Sequence, residues 1–222
     1  SYREEMTGVL CGYNKVDGKL GYDAVDKKGR YKEIKPKNCI FDISDLEEIN
    51  IPKLNYTPDQ LLKLKKKDLE DILKKNGMRA SGNVLQLRNR ILYPTVDDLL
   101  PRKNNIKNRL NGSGNFSDMT HGRIKKHYDD NINMIISGFV NGKCMYIFEF
   151  PFKEESFMER IQTQVEKSLP NRYCRSADFT FNHYKDSDVE IKYISKNITK
   201  YHKCFSNNFY NWLKNKNQVT PP

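Results

Sequence analysis

A charged stretch from Gly21 to Pro36 constrains the fold most, because it predicts two short strands joined by a Lys-Gly turn. Asp23 opens the first strand, and Glu33 and Lys35 lie in the second. Since side chains alternate between the two faces of a strand, Glu33 and Lys35 point to the same side. If the strands pair as a hairpin, Asp23 comes close to Glu33.

Two carboxylates and one ammonium at a single spot are suited to metal-dependent hydrolysis of a phosphodiester. Carboxylate oxygens bind a hard divalent cation. The cation polarises the phosphate and lowers the pKa of a bound water, and a lysine beside it orients or activates that water. The alternative interpretation of the same residues is a surface hairpin whose charges are solvated.

The pattern of Asp23, nine residues and then Glu33-Ile34-Lys35 resembles the PD-(D/E)XK nucleases, which include restriction endonucleases and many repair and recombination nucleases. The resemblance implies that Asp23 and Glu33 bind Mg²⁺ and that Lys35 supports the attacking water. In that family a helix before the strands often adds one more acidic residue, and Glu5 is the candidate here. The implied enzyme is a Mg²⁺-dependent endonuclease of double-stranded DNA, most like a type II restriction enzyme. The resemblance also implies a homodimer, whose two sites would cut both strands.

A second copy of the pattern occurs near the carboxyl end. Asp178 is followed after eleven residues by Glu190-Ile191-Lys192, on strands predicted at Ala177–Tyr184 and Val189–Ile194. Glu166, on a preceding predicted helix, could join this set. We prefer the first copy, because the surroundings of Asp23 and Glu33 look more like the family and because the second strand pair, rich in aromatic residues, suits a structural sheet. The alternative catalytic set of Asp178, Glu190 and Lys192 stays open at the level of sequence.

Residues 57–93 predict a pair of helices. Thr57-Pro58-Asp59-Gln60 is a strong helix start, and Gly77 supplies a left-handed residue after a helix end. The lysine run Lys65–Lys67 is where the first helix is expected to break. Ser81 is predicted to cap the second helix.

The same block resembles the SAP domain, a helix–loop–helix module that binds DNA in many chromatin and repair proteins. The matching residues are Leu64, Leu69, Ile72, Leu73, Lys74, Lys75, Asn76, Gly77, Ser81, Gly82, Leu87, Arg90 and Ile91. The family usually has lysine after the Ser-Gly pair, whereas Asn83 and Val84 stand there in this chain. The residues predicted to bind DNA phosphates are Lys63, Lys65, Lys66, Lys67, Lys74, Lys75, Arg79, Arg88 and Arg90. Such contacts give affinity and salt dependence rather than sequence choice.

The formal charge of +11 also favours a polyanionic partner, and nucleic acid is the commonest. Two alternatives to the nuclease remain. One is a non-catalytic DNA-binding adaptor that uses the basic helices alone. The other is an RNA-binding protein, because phosphate contacts do not distinguish the two nucleic acids.

Cysteine usage and hydropathy bear on the compartment. The five cysteines are scattered, and neither they nor the four histidines have the usual spacing of zinc ligands. This predicts reduced thiols in an intracellular protein, cytoplasmic or nuclear. No apolar run approaches the roughly 20 residues of a membrane span, so no membrane partner is expected.

The predicted fold class is α+β: a small nuclease-like mixed sheet, a SAP-like helix–loop–helix, and a mainly antiparallel carboxyl-terminal sheet with helices. In the last part, Asn141-Gly142 between two apolar runs is a strong hairpin signal. The predicted segments are a nuclease-like hairpin region, a SAP-like module, a linker and an α+β region, at residues 1–55, 56–94, 95–119 and 120–222. Residues 1–55 are few for a nuclease core, so either upstream residues are missing or the carboxyl-terminal strands complete the sheet.

Overall fold

The structure is a computed structural model in which two units are distinguished, residues 1–41 with 105–222, and residues 42–104. The residues described are 1–17, 21–42, 50–100, 106–171 and 173–219. Residues 101–105 of the predicted linker lie outside this part of the chain.

Eight strands and seven α-helices occur in the described residues. The strands are β1 (Asn14–Lys15), β2 (Ala24–Val25), β3 (Tyr31–Cys39), β4 (Gly114–Met119), β5 (Asn133–Val140), β6 (Lys143–Pro151), β7 (Cys174–Phe179) and β8 (Glu190–Ile194). The helices are α1 (Tyr2–Leu10), α2 (Pro58–Leu62), α3 (Lys66–Lys75), α4 (Val84–Leu92), α5 (His121–Asp129), α6 (Glu155–Lys167) and α7 (Asn207–Val219). Among the described helices, none has the length and apolar character needed to cross a bilayer.

Strands from both ends of the chain form one mixed sheet in the larger unit. Its order is β1-β2-β3-β5-β6-β8, and all neighbours are antiparallel except β3 and β5, which are parallel. β4 and β7 form a separate antiparallel pair. The predicted α+β class is confirmed, and the carboxyl-terminal strands do complete the sheet that the amino-terminal hairpin begins.

The predicted hairpin is present as β2 and β3, with Ala24 opposite Lys32. The second strand is longer than the stretch that predicted it, because β3 continues through Pro36 to Cys39. β2 pairs only with the first two residues of β3, so Pro36 has a paired strand on one side alone among the described residues. Proline is tolerated at such an edge because the N–H group it lacks is not required there.

The hairpin predicted at Asn141-Gly142 is confirmed. Asn141 and Gly142 have φ of 49° and 81° and join β5 to β6. The inward side chains of β6 enter an aromatic core, which also receives residues from β4, α6, β7 and α7. Its members include Phe116, Tyr146, Phe148, Phe150, Phe157, Phe179, Tyr184, Phe209 and Trp212.

Helix α1 packs on the other face of the sheet. The hydroxyl groups of Thr7 and Ser137 hydrogen-bond at 2.9 Å, both buried. A small apolar cluster of Ala24, Ile34, Ile135 and Ile147 lies on the same face. The sheet therefore has an aromatic face and a smaller aliphatic face, and β3 contributes to both.

The smaller unit is helical, as predicted. Its core consists of Leu61, Leu69, Leu73, Met78, Leu87 and Ile91. α2 ends at Leu62 and α3 begins at Lys66, so the expected break is present but lies at residues 63–65, and Lys66 and Lys67 form the first turn of α3. The predicted cap at Ser81 is wrong: Asn83 caps α4, because Gln86 stands three residues later and exchanges two 2.9 Å hydrogen bonds with it.

Two glycines give a matched test of the sheet packing. A Cβ on Gly138 of β5 would lie 2.2 Å from the buried ring of Tyr146, whereas one on Gly8 of α1 would meet nothing closer than 3.9 Å. Gly138→Ala should lower the free energy of unfolding by about 1–3 kcal/mol through overpacking. Gly8→Ala should leave it unchanged or raise it by up to about 1 kcal/mol, because alanine favours helix. Denaturant unfolding measures both, and equal effects would contradict this packing.

Candidate active site

The start of β2 brings Asp23 to Glu33. The Asp23 N–H donates to the Lys32 carbonyl at 3.0 Å, and the Asp23 carboxylate accepts from the Ile34 N–H at 2.7 Å. Asp23 directly precedes the Ala24–Lys32 pair, and its two hydrogen bonds hold it against the Lys32–Ile34 segment of β3. The charge of Glu33 acts on the Asp23 carboxylate, which is the proximity that the hairpin prediction requires.

Lys35 completes the group from the same face of β3. Its Nζ lies 2.8 Å from Oε1 of Glu33 and 4.7 Å from the centre of the Phe116 ring. Glu33 is buried and Lys35 is half-buried. The aromatic ring and the carboxylate together fix the ammonium beside the acidic pair.

The environment of Asp23 opposes its ionisation. Burial, and then the charge of Glu33, raise the pKa of Asp23 from 3.8 to about 6, although the Ile34 N–H favours the ionised form. A carboxylate beside a like charge in a partly desolvated position has this behaviour. Such perturbed acids cluster at functional sites.

Helix α1 does not bring Glu5, the candidate that the resemblance implied, to the site. Glu5, the predicted third acid, is exposed and pairs with Lys15 at 2.6 Å, away from the site. It is Glu4 whose charge acts on Asp23 and raises its pKa. One residue along a helix turns the side chain by about 100°, and the sequence offered no means of choosing between adjacent glutamates.

The donor set fits one divalent ion. Across the part of the chain that the structure describes, no three His, Cys, Asp or Glu side chains group as metal ligands. Mg²⁺ does not need such a cage, since it is commonly held by one or two carboxylates, water and substrate phosphate. Asp23 and Glu33 supply two carboxylates of that kind, and Lys35 supplies a hydrogen-bond donor at their edge.

The alternative set is not brought together. β7, which carries Asp178, pairs with β4 rather than with β8, and Asp178 forms its ion pair with Arg160 at 2.8 Å. Glu190 and Lys192 lie in the six-stranded sheet and pair with each other at 2.9 Å. The predicted strand Ala177–Tyr184 also ends early, because residues 181–183 form a 3-10 turn. Asp178 and Glu190 therefore stand in different sheets.

A second polar cluster, on the opposite face of β3, was missed by the sequence analysis. Buried Lys32 contacts Glu149 and lies 3.2 Å from Asp26. Glu149 also accepts from Tyr13 at 2.6 Å and from Asn133 at 2.7 Å. Burial alone would raise the pKa of Glu149, but these hydrogen bonds outweigh it and lower the pKa. The sequence feature that could have indicated this cluster is the single glutamate between Phe148 and Phe150.

The basic residues predicted to bind DNA divide into two groups. Two arginines make intramolecular bonds: Arg88 donates to the Leu61 and Leu62 carbonyls, and Arg90 to Asp98 and to the carbonyls of Arg79 and Ser81. The remaining seven are exposed, namely Lys63, Lys65, Lys66, Lys67, Lys74, Lys75 and Arg79. The exposed group is the one sterically able to contact a polyanion.

Comparison with known proteins adds no assignment. A scan against protein-family models finds no match, and a search of curated proteins finds none either.

The raised pKa of Asp23 predicts a pH dependence of stability. Because the folded-state pKa of about 6 exceeds the ordinary 3.8, the unfolded chain loses this proton first, and stability falls as pH rises from about 4 to 6. Asp23→Asn keeps an acceptor for the Ile34 N–H and removes that loss. At pH 7.5 the variant should be more stable by roughly 1 kcal/mol, allowing for partial solvent screening.

Thermal unfolding between pH 4 and 7.5 measures the difference. The control is Glu5→Gln, whose exposed carboxylate is paired with Lys15 and should give no gain at pH 7.5. An Asp23→Asn variant less stable than the parent at pH 7.5 would mean that the two carboxylates do not repel each other.

Proposed function

We propose that this protein is a Mg²⁺-dependent endonuclease that hydrolyses phosphodiester bonds in double-stranded DNA. The observation that carries the proposal is the set of contacts around Glu33: its charge acts on Asp23, which is held by the Ile34 N–H, and its carboxylate pairs with Lys35. Their identities and spacing resemble PD-(D/E)XK nucleases, and their geometry suits the chemistry that the resemblance implies.

The three side chains would have different roles in catalysis. Asp23 and Glu33 would hold the ion, which supplies Lewis acidity and lowers the pKa of a bound water. The Ile34 N–H fixes one oxygen of Asp23, leaving the other available as a ligand. The ammonium of Lys35, beside the Glu33 carboxylate, can donate to the attacking water or to a phosphate oxygen.

The charges of the Asp23 and Glu33 carboxylates also favour the binding of a divalent cation. Burial of Asp23 raises its pKa most, and repulsion by the Glu33 carboxylate raises it further. A bound divalent cation reverses the sign of the local field and favours both ionised forms. Proton release on metal binding near pH 6 would follow.

The positive charge of the chain supports DNA as the substrate. The surplus of +11 and the seven exposed basic residues of the helical unit favour a phosphate backbone. The SAP-like spacing of that unit favours DNA over RNA. By the same resemblance, two copies of the chain would act together to cut both strands, and five free thiols suit a reducing intracellular compartment.

A non-catalytic DNA-binding adaptor is the second candidate, and one contact favours it. The ammonium of Lys35 already neutralises Glu33 at 2.8 Å, so the pair is self-satisfied without a ligand. In that case the exposed lysines would account for all binding, and duplex DNA would be bound but never cut.

Cleavage of supercoiled plasmid with Mg²⁺ tests the active site. Glu33→Gln and Lys35→Met should each lower the rate at least about 100-fold, since each removes a group acting at the reacting phosphate. The matched control is Glu190→Gln, which changes the same residue type in the same Glu-x-Lys spacing and should cut normally. Undiminished cleavage by Glu33→Gln would exclude this site, and absence of cleavage by the parent protein would favour the adaptor.

Binding of a short DNA duplex in EDTA tests the helical unit separately. The double variant Lys74→Gln, Lys75→Gln should bind more weakly whatever the sequence, and the slope of log affinity against log salt should fall by about two. Lys143→Gln, at the exposed start of β6, serves as the control. An unchanged slope would mean that this helix end does not contact DNA. Matched duplex RNA measures the preference for DNA.

A further inference from the structure

We infer that Lys37, with Asn111 and Ser113, forms a second phosphate-binding site next to the catalytic group. It would hold the DNA phosphate adjacent to the one that is cut. The inference rests on the proposed nuclease function and extends it by assigning a place to the substrate backbone.

The position of Lys37 follows from strand geometry. Glu33, Lys35 and Lys37 alternate along β3 and share one face, so Lys37 is two residues, or about 6.6–6.8 Å, beyond Lys35. Both lysines line one cleft of about 550 Å³. A backbone that presents one phosphate to Lys35 can therefore reach Lys37 along the same cleft.

The ammonium of Lys37 is held by neutral groups only. Its Nζ donates to Asn111 Oδ1 at 2.8 Å and lies 3.3 Å from Ser113 Oγ. Among the described residues no carboxylate forms an ion pair with it, whereas Lys32, Lys35 and Lys192 all have one. Burial lowers the pKa of Lys37. An anion that entered the cleft would favour the charged ammonium, and no carboxylate paired with Lys37 would compete with that anion.

The loop that positions Lys37 is fixed. Asn111 Oδ1 also accepts from the backbone N–H of Ser113 at 3.1 Å and from its hydroxyl at 2.6 Å. Gly112 between them has φ of +71°, and a Cβ there would lie 2.5 Å from Tyr184 and 2.6 Å from Phe209. Since both aromatic residues are buried in the core, Asn111 and Ser113 are presented to Lys37 by a rigid support.

The opposite wall of the cleft does not neutralise Lys37. Asp178 lines that wall, but its carboxylate is paired with Arg160 at 2.8 Å. Asn115 and Ser176, also on that side, hydrogen-bond to each other at 2.9 Å. The cleft thus combines one uncompensated cation with neutral hydrogen-bonding groups, which suits a phosphate flanked by sugar.

Duplex binding in EDTA tests the site without requiring cleavage. Lys37→Met should reduce the slope of log affinity against log salt by about one, while the control Lys143→Met leaves it unchanged. Lys37→Met should also melt at or above the temperature of the parent, because it removes a half-buried charge that has no acidic partner. An unchanged slope would overturn the proposal, as would a lower melting temperature accompanied by weaker binding, which would make Lys37 a structural residue.

A chemically modified substrate locates the contact. On a duplex with one mapped cut, a neutral methylphosphonate is placed at the phosphate on either side of the scissile one. For the parent protein, one of the two replacements should raise KM about tenfold with kcat little changed, and Lys37→Met should be insensitive to that same replacement. Equal sensitivity of both proteins would overturn the assignment. If the parent protein does not cut at all, the nuclease proposal fails, and the salt slope still decides whether Lys37 binds phosphate.

Discussion

The parallel pairing of β3 with β5 is the interaction on which the candidate site depends. Eight consecutive residues, from Lys32 to Cys39, pair with residues about a hundred positions later in the chain. A two-stranded hairpin alone is marginally stable in water, and on such a hairpin Glu33 would be solvated. The pairing puts β3 inside a six-stranded sheet, where Ile34 packs beside Ile135 and the alternate side chains face the aromatic core. Burial of Glu33 follows from that position, and the pKa of Asp23 is raised by the burial of Asp23 and then by the charge of Glu33.

The two faces of β3 have opposite electrostatic roles. On one face, Lys32 is fully buried between Asp26 and Glu149, and each charge has an opposite partner. Removal of one member would leave an uncompensated buried charge, which is strongly destabilising. On the other face, Asp23 and Glu33 repel each other, and Lys37 has no acidic partner among the described residues. One face of the strand is stabilised by paired charges, whereas on the other face Lys35 pairs with Glu33 but Asp23 and Lys37 form no ion pair among the described residues, as expected where binding capacity opposes stability.

Local signals in the sequence predicted much of this architecture. The Lys-Gly and Asn-Gly turns, the start of α2 at Thr57 and the break at the lysine run all depend on residues within a few positions of one another. The convergence of Asp23 with Glu33 was also predictable, because a tight turn fixes cross-strand neighbours. The sequence did not predict that β3 pairs with β5, because parallel strands are joined by long connections that have no local sequence signature. The choice of Glu4 over Glu5, the Glu149 cluster and the support of Lys37 by Asn111 each depend on such distant contacts.

The two copies of the Glu-x-Lys pattern show how little the pattern itself decides. In both copies the lysine pairs with the glutamate two residues earlier, at 2.8 Å in β3 and 2.9 Å in β8. The glutamate side chain is 9% exposed in the first and 66% exposed in the second. Glu190 is opposed to Glu149 of β6, but β8 is an edge strand, so water screens the exposed Glu190 carboxylate. β3 has neighbours that bury Glu33, and the charge of Glu33 acts on Asp23. A charge pattern gains chemical consequence only where the fold removes water and adds a like charge, and in this chain the amino-terminal copy alone meets both conditions.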